Sequence, residues 1–243
     1  MNIEYVKGEI YKKTWTEEFW GHNGAIHLAR ELYYELHTPE ALMGLASTYY
    51  AAAGNAGAKA KSGNPASRFY WFIVALVCSI RALFSSSKVE GQVGLSNMTA
   101  DQLDVRASIL ERVSLRGAAV SRINTALLKK LPIDTEVLLY AKKGILMHKL
   151  KNEAGAEVCF RNGHMLTRDV KPTTLVRFAK SRAIWRLESG DRSKAKMDFL
   201  AAKGIATEHG LKDQLEKIEP YLEELKDVDT NVVRWDYVFP LKN

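Results

Sequence analysis

The sequence predicts an all-α fold of antiparallel helical hairpins that ends in an extended C-terminal tail. Three observations predict it. Apolar residues recur at the period of a helix from Thr16 to Leu225. Cap residues, prolines and glycine-rich breaks punctuate that pattern as helix ends do. Strand-like alternation is confined to the two ends of the chain. With 243 residues, 47% hydrophobic and 26% charged, the composition is that of a chain able to bury a core, which excludes general disorder.

The first helix is expected from Thr16 to Glu35, opened by Thr16-Glu17-Glu18 and carrying Ile26, Ala29, Leu32, Tyr33 and Leu36 on one side. Thr38-Pro39-Glu40 starts a second helix that runs to about Ala53. Gly54 to Pro65, GNAGAKAKSGNP, reads as a loop. Its Lys61-Ser62 lacks the preceding glycine and strand of a phosphate loop, so nucleotide binding is not expected. The segment RFYWFIVALVCSIRALF, Arg68 to Phe84, follows. Its apolar part, closed by Arg68 and Arg81, is about 12 residues or roughly 18 Å of helix, short of a bilayer core of about 30 Å. The expectation is a helix buried on most sides, without a membrane span; a membrane or partner surface is the alternative. Ser85 to Thr99, SSSKVEGQVGLSNMT, reads as a second break.

Beyond it one pattern occurs three times. Ala119-x3-Ile123-x2-Ala126, Ala156-x3-Phe160-x2-Gly163 and Ala195-x3-Phe199-x2-Ala202 are spaced 37 and 39 residues apart. Small residues at Ala107, Gly144 and Ala183 each precede a copy by twelve positions, and Ser189-Gly190-Asp191 and Lys151-Asn152 supply turns. A small residue lets two helices approach, the large one fills the space between hairpins, and the second small one admits the next hairpin. Over roughly residues 101–206 these copies resemble tetratricopeptide repeats. The resemblance implies a short right-handed α-solenoid whose first helices line a concave face. By that register His148, Lys149, Arg177, Lys180 and Ile184 face inward, and Arg186 belongs to the same basic helix. The expected organisation is 1–86 as N-terminal helical hairpins, 101–226 as repeats with a capping helix over Leu211 to Leu225, and 227–243 as tail.

The net charge of +7 is uneven: residues 1–63 carry −1, 64–133 carry +5, 134–206 carry +7 and 207–243 carry −4. Such a middle favours an acidic partner. Cys78 and Cys159 sit in apolar helical settings and read as free thiols of a cytoplasmic protein, and the N-terminus lacks the features of a secretory signal. His27, Glu31 and Glu35 share a helix face, but no second ligand pair of recognised spacing occurs, and ordinary surface pairs account for them. No catalytic motif, metal site or cofactor is expected. The reading is a non-catalytic interaction module that holds an acidic peptide or partner helix in a basic groove, with nucleic-acid binding by the same face as the alternative. In the tail, Val233, Trp235, Tyr237 and Phe239 alternate with Arg234, Asp236 and Val238, an extended segment expected to cap the array or to link a homodimer.

Overall fold

The computed structural model of the chain describes residues 3–62 and 64–230, and among these there is helix and no strand. Helices pack in neighbouring pairs, and the chain divides into two compact units between Ala126 and Leu127. The alternating tail segment around Val233 to Phe239 lies outside the described residues.

In the first unit α1 (Ile3–Trp15), α2 (Ala25–Leu36), α3 (Pro39–Lys59), α4 (Pro65–Val93), α5 (Ala100–Arg112) and α6 (Arg116–Leu127) follow in order. Several starts are the ones the caps announce. The Thr38 side chain accepts from Ala41 N at 3.2 Å ahead of Pro39. Asn64 accepts from Ser67 N at 2.9 Å ahead of Pro65. Thr99 and Gln102 form a reciprocal capping box on α5. Other expectations are corrected. Thr16 ends a helix rather than starting one, because α1 occupies the N-terminal segment and α2 begins only after Gly24, whose extended backbone breaks the chain. The glycine-rich stretch after Ala53 stays helical to Lys59: Ala56 is buried, α3 packs on α4, and tertiary contact outweighs glycine's low propensity. Ser85–Val93 is not a break but the last turns of α4, closed at Gly94 with a φ of 80°.

Arg106 is why α4 continues. It donates to Glu90 Oε2 at 3.0 Å, to Ser86 Oγ and Ser87 Oγ at 2.8 Å, and to the Leu83 carbonyl at 3.2 Å, so one α5 side chain binds two turns of α4. Arg122 of α6 also pairs with Glu90. Burial alone would raise Glu90, but the hydrogen bonds from Arg122 and Arg106 outweigh it and hold the carboxyl below the usual glutamate range. Because α5 packs on α3 and α4, the first of the three repeated patterns does not form a close α5–α6 hairpin. The boundary between compact units accordingly falls after Ala126, inside the span the sequence assigns to one repeat domain.

The second unit holds α7 (Ile133–Lys149), α8 (Glu153–Met165), a 3₁₀ turn (Thr167–Asp169), α9 (Pro172–Glu188), α10 (Arg192–Glu208) and the short α11 (Lys212–Leu215) and α12 (Glu219–Glu224). Here the repeated patterns are hairpins, α7 with α8 and α9 with α10, and α7 also packs on α9. The small positions explain the close approach. A Cβ on Gly144 would stand 2.6 Å from the Phe160 ring, and one on Gly163 would stand 2.5 Å from the Phe178 ring. Phe160, Phe178 and Phe199 fill the core, Phe199 stacking on Tyr221 of α12 at 4.7 Å. Cys78 and Cys159 are both free, buried thiols.

Candidate functional site

In the second unit, α8, α9 and the start of α10 enclose a cavity of about 400 Å³. Its floor is ionic. Arg182 grips Asp198 through both oxygens, at 2.9 and 2.6 Å, and Arg186, one turn along α9, donates to Asp198 at 2.7 Å. Asp198 is fully buried, and Arg182 and Arg186 are buried with it. Arg161 and Lys194 also line the cavity, against the carboxylates of Glu157 and Asp191. Lys194 pairs with Asp191 at 2.7 Å, and this contact outweighs Asp191's burial and keeps it ionised below the usual range. One wall is aromatic: Phe160 and Trp185 stack at 4.9 Å with 18° between planes. His164 on the same lining titrates below the usual histidine range, first because it is buried, then because Arg182 and Arg186 repel its charged form more than Asp198 attracts it. At neutral pH it is an uncharged imidazole in a cationic field.

The six residues singled out from the sequence do not form one surface. Lys180 and Arg182 lie about 200° apart around α9, so the Arg177–Lys180–Ile184 side and the Arg182–Arg186 side face different ways. Arg186 points to Asp198 and belongs to the cavity floor. Arg177 is exposed, and Ile184 packs against the core. Lys180 is half-buried, and its pKa is lowered, chiefly by burial and then by the charges of Lys217 and Arg177. His148 already has carboxylates on both nitrogens, Glu153 at 2.7 Å and Glu188 at 3.3 Å, so it faces acids of its own chain rather than a partner's. Trp185 Nε1 donates to the same Glu153 at 3.0 Å. Lys149 is exposed at the end of α7. Arg182 is legible as one of the basic residues of α9, whereas Asp198 escapes the sequence, although a signal exists: it lies three residues after Ala195 and one before Phe199, a charge on a face otherwise reserved for packing.

The first unit overturns the reading of Arg68 to Phe84. Its helix is 29 residues, about 43 Å long, and turns its large residues outward. Phe69, Phe72 and Phe84 are 67%, 57% and 70% exposed, and Ile73, Leu76 and Ile80 continue the stripe between them. The inward face is made of Cys78, Ala82, Ser86 and Val89, which pack closely where bulky residues would not fit. An 18-residue window with a mean hydropathy of 1.7 is only 17% buried, so length and composition suffice for a membrane-crossing helix. Among the described residues no group of three or more His, Cys, Asp or Glu gathers to hold a metal. No protein-family model, curated protein or solved structure shows significant similarity to this chain.

Proposed function

We propose that this chain is a non-catalytic interaction protein whose α7–α10 hairpins hold an acidic peptide segment. The cavity of the second unit carries this reading: Arg161, Arg182, Arg186 and Lys194 stand against Glu157 and Asp191 on its lining and Asp198 beneath it, an excess of one positive charge, beside an aromatic wall. Guanidinium groups suit carboxylates because they offer paired donors in a fixed plane, and Arg161, exposed at the rim, is placed to meet one first. Trp185, backed by the buried Phe160, gives an apolar side chain somewhere to rest, which sets register along the peptide. A short right-handed stack of tetratricopeptide-like hairpins, in a cytoplasmic protein, is part of the same proposal.

Fluorescence anisotropy with a labelled peptide of alternating Glu and Leu tests it. Binding should be saturable and should weaken roughly tenfold or more in Arg161→Glu, since a charge-assisted hydrogen bond contributes about 1.5–3 kcal/mol. A peptide of alternating Lys and Leu should not bind. If single-stranded RNA bound instead, with affinity falling steeply as salt rises, the nucleic-acid alternative would replace this reading.

A further inference from the structure

We infer that the first unit seats itself on an anionic lipid bilayer, with α4 lying in the plane of the surface and its outward stripe sunk among the acyl chains. The stripe is the first observation. Phe69, Phe72, Ile73, Leu76, Ile80 and Phe84 recur at helical spacing on one side of α4 and together expose on the order of several hundred Å² of apolar surface, an area that marks an interaction site rather than ordinary surface.

Charge names the occupant. From Ala41 to Val89 the chain has no Asp or Glu, while Lys59, Lys61, Arg68, Arg81 and Lys88 are basic. These cations sit towards the two ends of the stripe and are accompanied by aromatic rings. At one end Lys59 lies 4.8 Å over the Trp71 ring, which Tyr70 and Trp20 adjoin. At the other, a cavity of about 520 Å³ beside Phe84 is lined by Arg30, Arg81 and Lys88 and by tyrosines, with no carboxylate. Lys88 donates to the Tyr33 hydroxyl and Arg81 to the Tyr49 hydroxyl, each at 3.3 Å. Arg68 and Lys88 are 20 residues, about 30 Å, apart. An apolar stripe bordered by Trp, Tyr, Lys and Arg suits the boundary between headgroups and acyl chains, where rings settle and cations meet phosphates. A second copy of the chain would bring the same cations against themselves.

Packing decides between lying on the bilayer and crossing it. The inward face of α4 is covered by α3, and α3 in turn by α2. A crossing α4 would draw α2 into the hydrocarbon with Arg30, Glu31 and Glu35, and α5 with the Glu90–Arg106 pair. In the plane of the surface only the outward stripe enters, and long cationic side chains reach back to the headgroups.

The test is flotation of the full chain with vesicles of phosphatidylcholine alone or mixed with phosphatidylserine, with light scattering alongside. The chain should float with the mixed vesicles and far less with the neutral ones. Phe72→Ser with Phe84→Ser should abolish flotation, and Arg68→Gln with Lys88→Gln should lower affinity roughly thirtyfold. Arg161→Glu, in the other unit, should leave flotation unchanged, which keeps this result separate from the peptide-binding proposal. Circular dichroism of each variant should match that of the parent. No flotation, or flotation that the Phe72 and Phe84 substitutions leave intact, overturns the inference. So does protein that leaves vesicles only in detergent, which means a span. A dimer in vesicle-free solution that those two substitutions convert to monomer also overturns it, because a second copy then covers the stripe.

Discussion

α4 and α9 are built from similar material and sort it in opposite ways. On α9, Val176, Phe178, Ala179 and Ala183 are buried, and two arginines are drawn inside with them to meet a carboxylate. On α4 the buried residues are small, and the phenylalanines and isoleucines face out. Mean apolarity would rank α4 as the better core helix, yet it is the more exposed of the two. What decides is the size of the residues on the face a neighbour can reach. Ala, Ser and Cys on that face let α3 lie close, after which no room remains for Phe on the same side.

The largest effects should come from the α9–α10 interior. Asp198→Ala leaves two buried guanidinium groups without their shared carboxylate, which costs about 3–5 kcal/mol. Phe199→Ala empties the space beneath Tyr221 and costs a similar 3–5 kcal/mol or so. Ala195→Leu, by overpacking the hairpin, should cost about 1–3 kcal/mol. Chemical denaturation measures all three. A shift of only a few tenths of a kcal/mol for Asp198→Ala would mean that the ion triad is incidental and that the two helices are held by apolar packing alone.

How much of this was legible depended on whether a residue's neighbours lie nearby in sequence. The helical class was plain from period, and Thr38-Pro39 and Asn64-Pro65 mark helix starts because a cap acts within three residues, whereas the Thr99 cap lay inside a segment that reads as a break. The small-large-small positions Ala156, Phe160, Gly163 and Ala195, Phe199, Ala202 are buried as their spacing requires. Gly144, twelve residues ahead of Ala156, meets Phe160. Reach across the chain was not legible. Arg106 binding Glu90, Ser86 and Ser87 is a contact over 16 to 20 residues, and it holds as helix a stretch whose serines and glycine read as a break. The basic residues of α9 were visible as a group, but their division between two sides follows from helix geometry once Asp198 fixes which side faces in. The exposed stripe had a sequence signal too, the absence of any acid between Ala41 and Val89, which matters only once the stripe is known to face out.

A medium effect should appear in acid, and in the first unit. Glu90 is held below the usual glutamate range by Arg122 and Arg106 against the opposing effect of burial. A group whose folded pKa is depressed contributes stability that is full above its unfolded value, about 4.3, and is lost as pH falls through the folded value. Thermal melts should therefore show a loss of stability that begins near pH 4–5 and deepens below it. Glu90→Gln, which removes the titration, should be less stable at neutral pH and flatter on the acid side. An unchanged acid limb in that variant would assign the loss to other carboxylates and would mean that α4 is held at its C-terminal end by something other than this cluster.

The smallest effect tests the comparison most directly, because it is read on two faces of one helix. Phe72 is 57% exposed and has water on its outer side, so Phe72→Ser should change folding stability in solution by no more than about 0.5 kcal/mol. Ala82 is fully buried on the opposite face, and Ala82→Leu should cost about 1–3 kcal/mol although it adds apolar volume to an already apolar helix. A core helix would give the reverse order, a large cost for deleting the phenyl ring and a mild one for enlarging an alanine at its edge. Urea denaturation of the two variants, without vesicles, measures that order. If Phe72→Ser proved the costlier, the stripe would be covered in the folded protein and α4 would sort its residues as α9 does. If Ala82→Leu proved the costlier, the bulky side of α4 makes almost no contribution to folding, and its six large apolar residues are left for whatever the outward face meets.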